Sequence, residues 1–158
     1  MTIKVWLNGK EIEKDIEKDI EADLLLLDFL RQNGCYSVKR GCETSNCGLC
    51  TVLMNGTPVL SCNVLAARAD GKNITTIEGL QEEAEDFGRF LADQGAEQCG
   101  YCSPGFIMNV LAMVHELEDP TETEIKEYLS GNLCRCTGYV GQLRAIKLYL
   151  SRKREESK

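Results

Sequence analysis

Long apolar runs are missing from this chain. The densest, Leu24-Leu25-Leu26-Leu27, spans four residues between Asp23 and Asp28, whereas a membrane-crossing helix needs roughly 18 or more. The opening residues MTIKVWLNGKEIEKD return to charge before an apolar export core can form, and nothing resembles a lipidation signal, so a cytoplasmic chain is expected. Basic clusters are equally scarce. Arg152-Lys153-Arg154 stands beside Glu155 and Glu156 and reads as a solvated tail, and the formal net charge is −7. Phosphate backbones demand clustered Lys and Arg, so nucleic acid is not an expected partner. Histidine occurs once, at His115. That excludes a Rieske-type cluster, which needs two, and leaves His115 as a surface or helix-end residue. GxGxxG, a Gly-rich phosphate loop and a Ser-His-Asp set are all missing.

Cysteine runs against this pattern. The 158 residues hold nine. In a reducing compartment they are not structural disulfides, which leaves metal binding or redox chemistry. Cys42, Cys47, Cys50 and Cys62 form one group; Cys99, Cys102, Cys134 and Cys136 form a second. Cys35 stands apart, as a buried small residue or a free thiol.

The texture of the chain divides near residue 77. Before it, Ile3–Leu7 alternates like a strand, Asn8-Gly9 is a two-residue hairpin turn, and Glu11–Ile16 reads as the return strand. Trp6 alternates with Val5 and Leu7 and reads as packing. Asp23 is expected to cap a short helix through Leu30 that closes near Gly34. A second hairpin, Thr51–Met54 and Pro58–Ser61 around Asn55-Gly56, ends at Cys62. After residue 77 the pattern is helical. Ser103 is expected as an N-cap with Pro104 at the first helical position, and Ile107, Val110, Leu111 and Val114 recur at helix spacing. Thr121 and Glu124 form a capping box, and a last helix runs through Leu143, Ile146 and Leu150. The expectation is an α+β chain with a small β-rich domain at 1–77 and an all-helical one at 78–158.

The first cysteine group reads C-x4-C-x2-C from Cys42 to Cys50, with Cys62 after the hairpin. This is plant-type [2Fe–2S] spacing. A four-thiolate cluster is negatively charged, and burying it is costly without compensating dipoles. Gly41, Ser45 and Gly48 are small enough for backbone N–H groups to approach the sulfurs, and a side chain at Gly48 is expected to obstruct that approach. Zinc also takes four thiolates, but usually from two C-x2–4-C knuckles, not three ligands on one loop. Lys39 and Arg40 either offset cluster charge or lie on the surface.

The second group, Cys99-x2-Cys102 with Cys134-x-Cys136, is less specific by spacing. A cluster, a zinc site and a redox dithiol all accommodate it, although the strand and βαβ pattern of a thioredoxin-like dithiol are not present. Its surroundings say more. Gln98-Cys99-Gly100-Tyr101-Cys102-Ser103-Pro104-Gly105 and Gly131-Asn132-Leu133-Cys134-Arg135-Cys136-Thr137-Gly138-Tyr139 closely resemble the signature segments of the small iron–sulfur subunits of molybdenum hydroxylases, the xanthine dehydrogenase family. Gly41-Cys42, Cys47-Gly48-Leu49-Cys50-Thr51-Val52 and Asn55-Gly56 match in order and spacing, and the resemblance runs from Ile3 to about Leu150.

The resemblance implies a plant-ferredoxin-like β-grasp followed by a four-helix bundle, each with a [2Fe–2S] cluster. It implies a large subunit carrying molybdopterin beside the second cluster and a medium subunit carrying FAD towards the first. Gln98 matches the glutamine that hydrogen-bonds the pterin, and Cys136 the ligand that faces it. The chain would be the electron-transfer part of an oxidoreductase, with substrate hydroxylated on the large subunit. Three departures stand out: Ser45-Asn46 where the family usually has Glu-Gly, Leu49 where it usually has Ala, and Gly141-Gln142 after the Cys134–Tyr139 segment. The first two bear on hydrogen bonding around the first cluster, the last on packing of the last helix.

Overall fold

The structure is a computed structural model that describes residues 1–156. Two Asn-Gly turns lay out its sheet. Asn8 and Gly9 have φ of 49° and 81°, and Asn55 and Gly56 have 50° and 83°, the mirror-image turn geometry that follows strand twist. The first turn joins β1 (Thr2–Leu7) to β2 (Lys10–Asp15), the second β3 (Thr51–Met54) to β4 (Thr57–Leu60), both pairs antiparallel. Three further residues, β5 (Asn73–Thr75), lie parallel to β1 and antiparallel to β3, so two hairpins become one sheet in the order β2-β1-β5-β3-β4.

Alternation on β1 buries Ile3, Val5 and Leu7. Trp6 therefore faces outward and is 43% exposed, which corrects its reading as a packing residue: the two-residue period leaves position 6 on the solvent side. The helix α1 (Leu26–Gln32) covers the sheet with Leu26, Leu27, Phe29 and Leu30. It does not start at Asp23. Leu25 occupies the cap position without a side-chain cap, bridges Leu65, and the Leu26 N–H donates to the Val64 carbonyl at 2.7 Å. A tertiary contact sets this helix start, so the local capping signal at Asp23 loses.

The second half holds α2 (Gln81–Asp93), α3 (Ser103–Glu116), α4 (Glu122–Tyr128) and α5 (Val140–Glu156). The Thr121–Glu124 capping box forms as expected. Ser103 is one position off: Cys102 takes the cap of α3, Pro104 lies in the first turn, and the Ser103 hydroxyl donates to Glu97 at 2.8 Å. His115 lies exposed in the last turn of that helix. Phe87, Leu91, Phe106, Val110, Ile146 and Tyr149 fill the helical core, with Tyr149 edge-on to Phe87 at 5.2 Å. Each such buried side chain contributes about 1.5–3 kcal/mol.

α3 is buried on two sides, which explains its broad apolar surface. Phe106 and Val110 face the helical core, while Met108 and Ala112 pack on Leu53 of β3. The two halves also meet backbone to backbone. A Cβ on Gly48 would lie 2.6 Å from the Gly131 carbonyl and the Asn132 amide, and one on Gly105 would collide with the Gly48 carbonyl. These glycines bring the cysteine-bearing loops of the two halves together. Among the described residues no helix is long and apolar enough to cross a membrane.

Candidate metal centres

Three residues with positive φ, Glu43 (54°), Ser45 (63°) and Gly48 (75°), coil the first cysteine loop. The coil turns backbone donors inward. The Thr44, Asn46 and Cys47 N–H groups lie 3.4, 3.2 and 3.3 Å from the Cys42 sulfur, and the Cys42 N–H is 3.4 Å from the Cys47 sulfur. The Thr44 and Asn46 N–H groups draw the Cys42 thiol down to about 6. Such a nest favours thiolate over thiol. Cys50 and Cys62 are buried deeper and face each other; burial raises the Cys50 thiol, the Cys62 N–H opposes the rise and the Cys62 thiol adds to it. The Ser45 hydroxyl lies 4.0 Å from the Cys62 sulfur.

The Ser45-Asn46 departure leaves this shell standing. Asn46 supplies its backbone N–H to Cys42 while its side chain folds back onto the Thr44 carbonyl and hydroxyl at 2.9 and 2.8 Å. The glycine pressed against sulfur is Gly41, whose Cβ would lie 2.8 Å from the Cys47 sulfur. Gly48 instead makes room for the 131–132 loop, which corrects the reason expected for it.

The second group comes from the turn before α3 and the loop before α5. The Cys99 and Cys136 sulfurs are 3.5 Å apart and both residues are exposed. Cys102 and Cys134 lie further in. Burial pushes Cys102 up to about 12, with Cys134 and Cys99 adding to it. Burial acts the same way on Cys134, but the Thr137 hydroxyl (3.2 Å) and N–H (3.4 Å) outweigh it and hold that thiol low. The Gln142 amide nitrogen is 4.0 Å from the Cys102 sulfur, and the Tyr139 hydroxyl accepts the Cys134 N–H at 3.0 Å. The four cysteines line an open hollow of about 430 Å³ with Tyr101, Leu133 and Tyr139. Around it Tyr101, Leu133 and Tyr139 are each about half exposed, and Gln98 is exposed beside Cys99.

Both sets stand as pairs: Cys42 with Cys47, Cys50 with Cys62, Cys99 with Cys136, Cys102 with Cys134. No three His, Cys, Asp or Glu side chains among the described residues converge on one ion. Two pairs of thiolates around two irons are what a four-cysteine [2Fe–2S] cluster takes, so the donor set and its N–H shell fit that group.

The sets are also joined to each other. The Leu133 N–H donates to the Cys47 carbonyl at 3.0 Å, and the Tyr101 hydroxyl to the Arg40 carbonyl at 2.8 Å. Asn132 is buried between the halves, donating to the Gly48 and Gly105 carbonyls at 3.4 and 3.3 Å. Nothing in the sequence pattern pointed to these three links. Tyr101 and Asn132 lie inside the motif segments, but spacing does not disclose a partner in the other half. Arg40 is ion-paired with Asp28 and Glu43, and Lys39 sits 4.6 Å from the centre of the Tyr101 ring. Cys35 is buried in the first core, its thiol raised by burial, with the Asn8 amide 3.7 Å away.

A family model described as "2Fe-2S iron-sulfur cluster binding domain" matches residues 8–92, and one described as "[2Fe-2S] binding domain" matches 76–147. The nicotinate dehydrogenase small FeS subunit of Eubacterium barkeri is 45% identical over 80% of this chain and 83% of its own length. The xanthine dehydrogenase iron-sulfur-binding subunit of Escherichia coli O157:H7 is 49% identical over 72% and 74%. A chain of quinoline 2-oxidoreductase from Pseudomonas putida 86 superposes with a TM-score of 0.82 at 37% identity, covering 92% of this chain and 90% of that one.

Proposed function

This chain belongs to the small [2Fe–2S] subunits of the molybdenum hydroxylases, a family of multi-subunit oxidoreductases, and we propose that it relays single electrons from a molybdenum–pterin site on a large partner subunit to a flavin on a medium one. In this reading the sheet half, residues 1–77, is a β-grasp whose Cys42, Cys47, Cys50 and Cys62 hold one cluster. The half at 78–158 is a four-helix bundle of α2 to α5 whose Cys99, Cys102, Cys134 and Cys136 hold the other. A [2Fe–2S] cluster held by four thiolates takes up and releases one electron.

The observation that carries the reading is the bond from the Leu133 N–H to the Cys47 carbonyl. Leu133 precedes Cys134, so a single hydrogen bond connects the backbones of the two sets. Exposure supplies a direction. Cys99 and Cys136 are exposed within an apolar rim, whereas Cys50 and Cys62 are buried, so the second set is the one open to the pterin partner. Gln98 and Cys136 are assigned to that contact. The chain supplies thiolates, orients N–H groups towards them and buries Cys50 and Cys62 of the first set; substrate chemistry lies on the large subunit. A cytoplasmic complex completes the proposal.

The test uses the complex purified through this chain. It is expected to be brown, to contain iron in place of zinc, to bring down a large and a medium subunit, and to show two S = 1/2 EPR signals on reduction. One signal is expected to split through coupling to the paramagnetic molybdenum centre, and Cys102→Ala to abolish that one alone. A split signal that survives Cys102→Ala refutes the order of the relay.

A further inference from the structure

Gln142 is out of place chemically. It sits in the first turn of α5 and is 4% exposed. The cavity beside it is lined mainly by apolar side chains, Phe106, Leu143 and Ile146 among them, with Ser130, Asn132 and Tyr139 also on its wall. Its Oε1 is buried with no partner among the described residues, while its Nε2 lies 4.0 Å from the Cys102 sulfur. Burying half an amide unsatisfied is unfavourable, and an apolar side chain of the same volume would avoid that cost. Packing alone therefore does not account for a glutamine here.

The orientation of the amide follows from its neighbour. A ligated thiolate only accepts hydrogen bonds, so the NH2 end must face Cys102 and the carbonyl end must face the apolar side. The backbone holds it there. Gly141 lets the first turn of α5 press on the 94–96 segment, where a Cβ would lie 3.2 Å from both the Ala96 Cβ and the Gln94 carbonyl. Cys102 also has less help than Cys134. Cys134 receives the Thr137 hydroxyl and N–H, whereas Cys102 is buried beside Cys134 and Cys99.

We propose that Gln142 is a positioning residue for the second cysteine set, directing a side-chain N–H at the Cys102 sulfur and thereby raising the reduction potential of the cluster held there. One-electron reduction adds one negative charge to the cluster and its thiolates. A donor aimed at a ligand sulfur stabilises that added charge, so the reduced state gains more than the oxidised one. The higher potential makes this set a better acceptor for an electron arriving at its exposed face. The inference rests on the proposed assignment of Cys99, Cys102, Cys134 and Cys136 as cluster ligands.

The test compares Gln142→Met and Gln142→Leu in the purified complex by EPR-monitored redox titration, with Cys102→Ala identifying which signal belongs to the second set. Both variants lack the donor; Met keeps the shape and Leu does not. The expected result is a fall of that signal's midpoint by about tenfold in the reduction equilibrium, 59 mV for one electron, in both variants. Iron content and the other midpoint stay unchanged, and the melting temperature is not lowered, because the orphaned oxygen has gone. A Met midpoint within about twofold of the wild type, or a shift with Leu only, overturns the proposal and leaves the ligand assignment standing. Survival of both signals in Cys102→Ala overturns the assignment itself.

Discussion

The two cysteine sets use the same ligand in opposite surroundings. Around the first, four backbone N–H bonds converge on Cys42 and Cys47, drawn from a loop of small residues and left-handed turns. Around the second, side chains join the backbone: the Thr137 hydroxyl and the Gln142 amide act beside the Thr137 N–H, and two of the four cysteines are exposed. The Cys42 thiol is drawn down to about 6 while Cys102 is pushed up to about 12. A loop that carries its own donors closes over its sulfurs; a hollow rimmed by half-exposed Tyr101, Leu133 and Tyr139 leaves two of its sulfurs open.

The widest separation between the sets is expected on deleting one ligand from each. On the proposed assignment, in which each set supplies four thiolates to its own cluster, Cys42→Ala and Cys102→Ala should each lose about half the iron and one of two EPR signals. Iron analysis and EPR of the two variants check this directly. If either change erases both signals, the sets are not independent centres.

Next comes the seam. Gly48 has φ of 75° and no room for a Cβ against the 131–132 loop. Gly48→Ala is expected to cost about 3 kcal/mol, combining left-handed strain with overpacking against backbone, and to lower the thermal midpoint of the whole chain. Gly41→Ala presses on the Cys47 sulfur instead. It is expected to alter the EPR signal of the first set and leave the second unchanged.

What could be read from the sequence tracks how local each cause is. The Asn-Gly turns and the Thr121–Glu124 box depend on four neighbouring residues or fewer, and the structure forms them as expected. The grouping of Cys42, Cys47 and Cys50 was legible because one loop carries all three. The second set required recognition of the motif segments, because the α3 and α4 helices lie between Cys102 and Cys134 in the chain. Distant causes went unread. β5 is three residues long and is held by β1 and β3; the start of α1 is set by the 64–65 segment; Asn132 and Tyr101 find their partners across the seam. Trp6 was misread because alternation fixes which residues share a face, and position 6 belongs to the outer one.

A third, smaller effect lies where the two halves join. The Glu78 carboxylate accepts the Ser37 N–H at 3.0 Å, the Ser37 hydroxyl at 2.6 Å and the Thr76 hydroxyl at 2.6 Å. Burial acts to raise this carboxyl, but these donors outweigh it and hold it below its ordinary 4.5. A folded-state value below the unfolded one gives stability that is present above pH 4.5 and is lost as pH falls through 4.5 towards the depressed value. Glu78→Gln is expected to cost about 2 kcal/mol near neutral pH, as hydrogen bonds to a charged group do, and to flatten the acid limb of a stability profile. An unchanged limb would mean that the junction is held without this charge.

The smallest effect separates two of the three links between the sets. Tyr101→Phe removes the hydroxyl that reaches the Arg40 carbonyl and keeps the ring under Lys39. Arg40 remains fixed by Asp28 and Glu43, so no charge is stranded and the carbonyl can take water at the surface. The expected cost is about 1 kcal/mol or less, read by thermal melting, with both clusters retained. Electron exchange between the sets, followed by rapid-freeze EPR, should keep its rate, because the backbone bond from Leu133 to Cys47 is untouched. A tenfold slower exchange in Tyr101→Phe would move the route onto the tyrosine. The two sets would then be joined through a side chain and not through backbone.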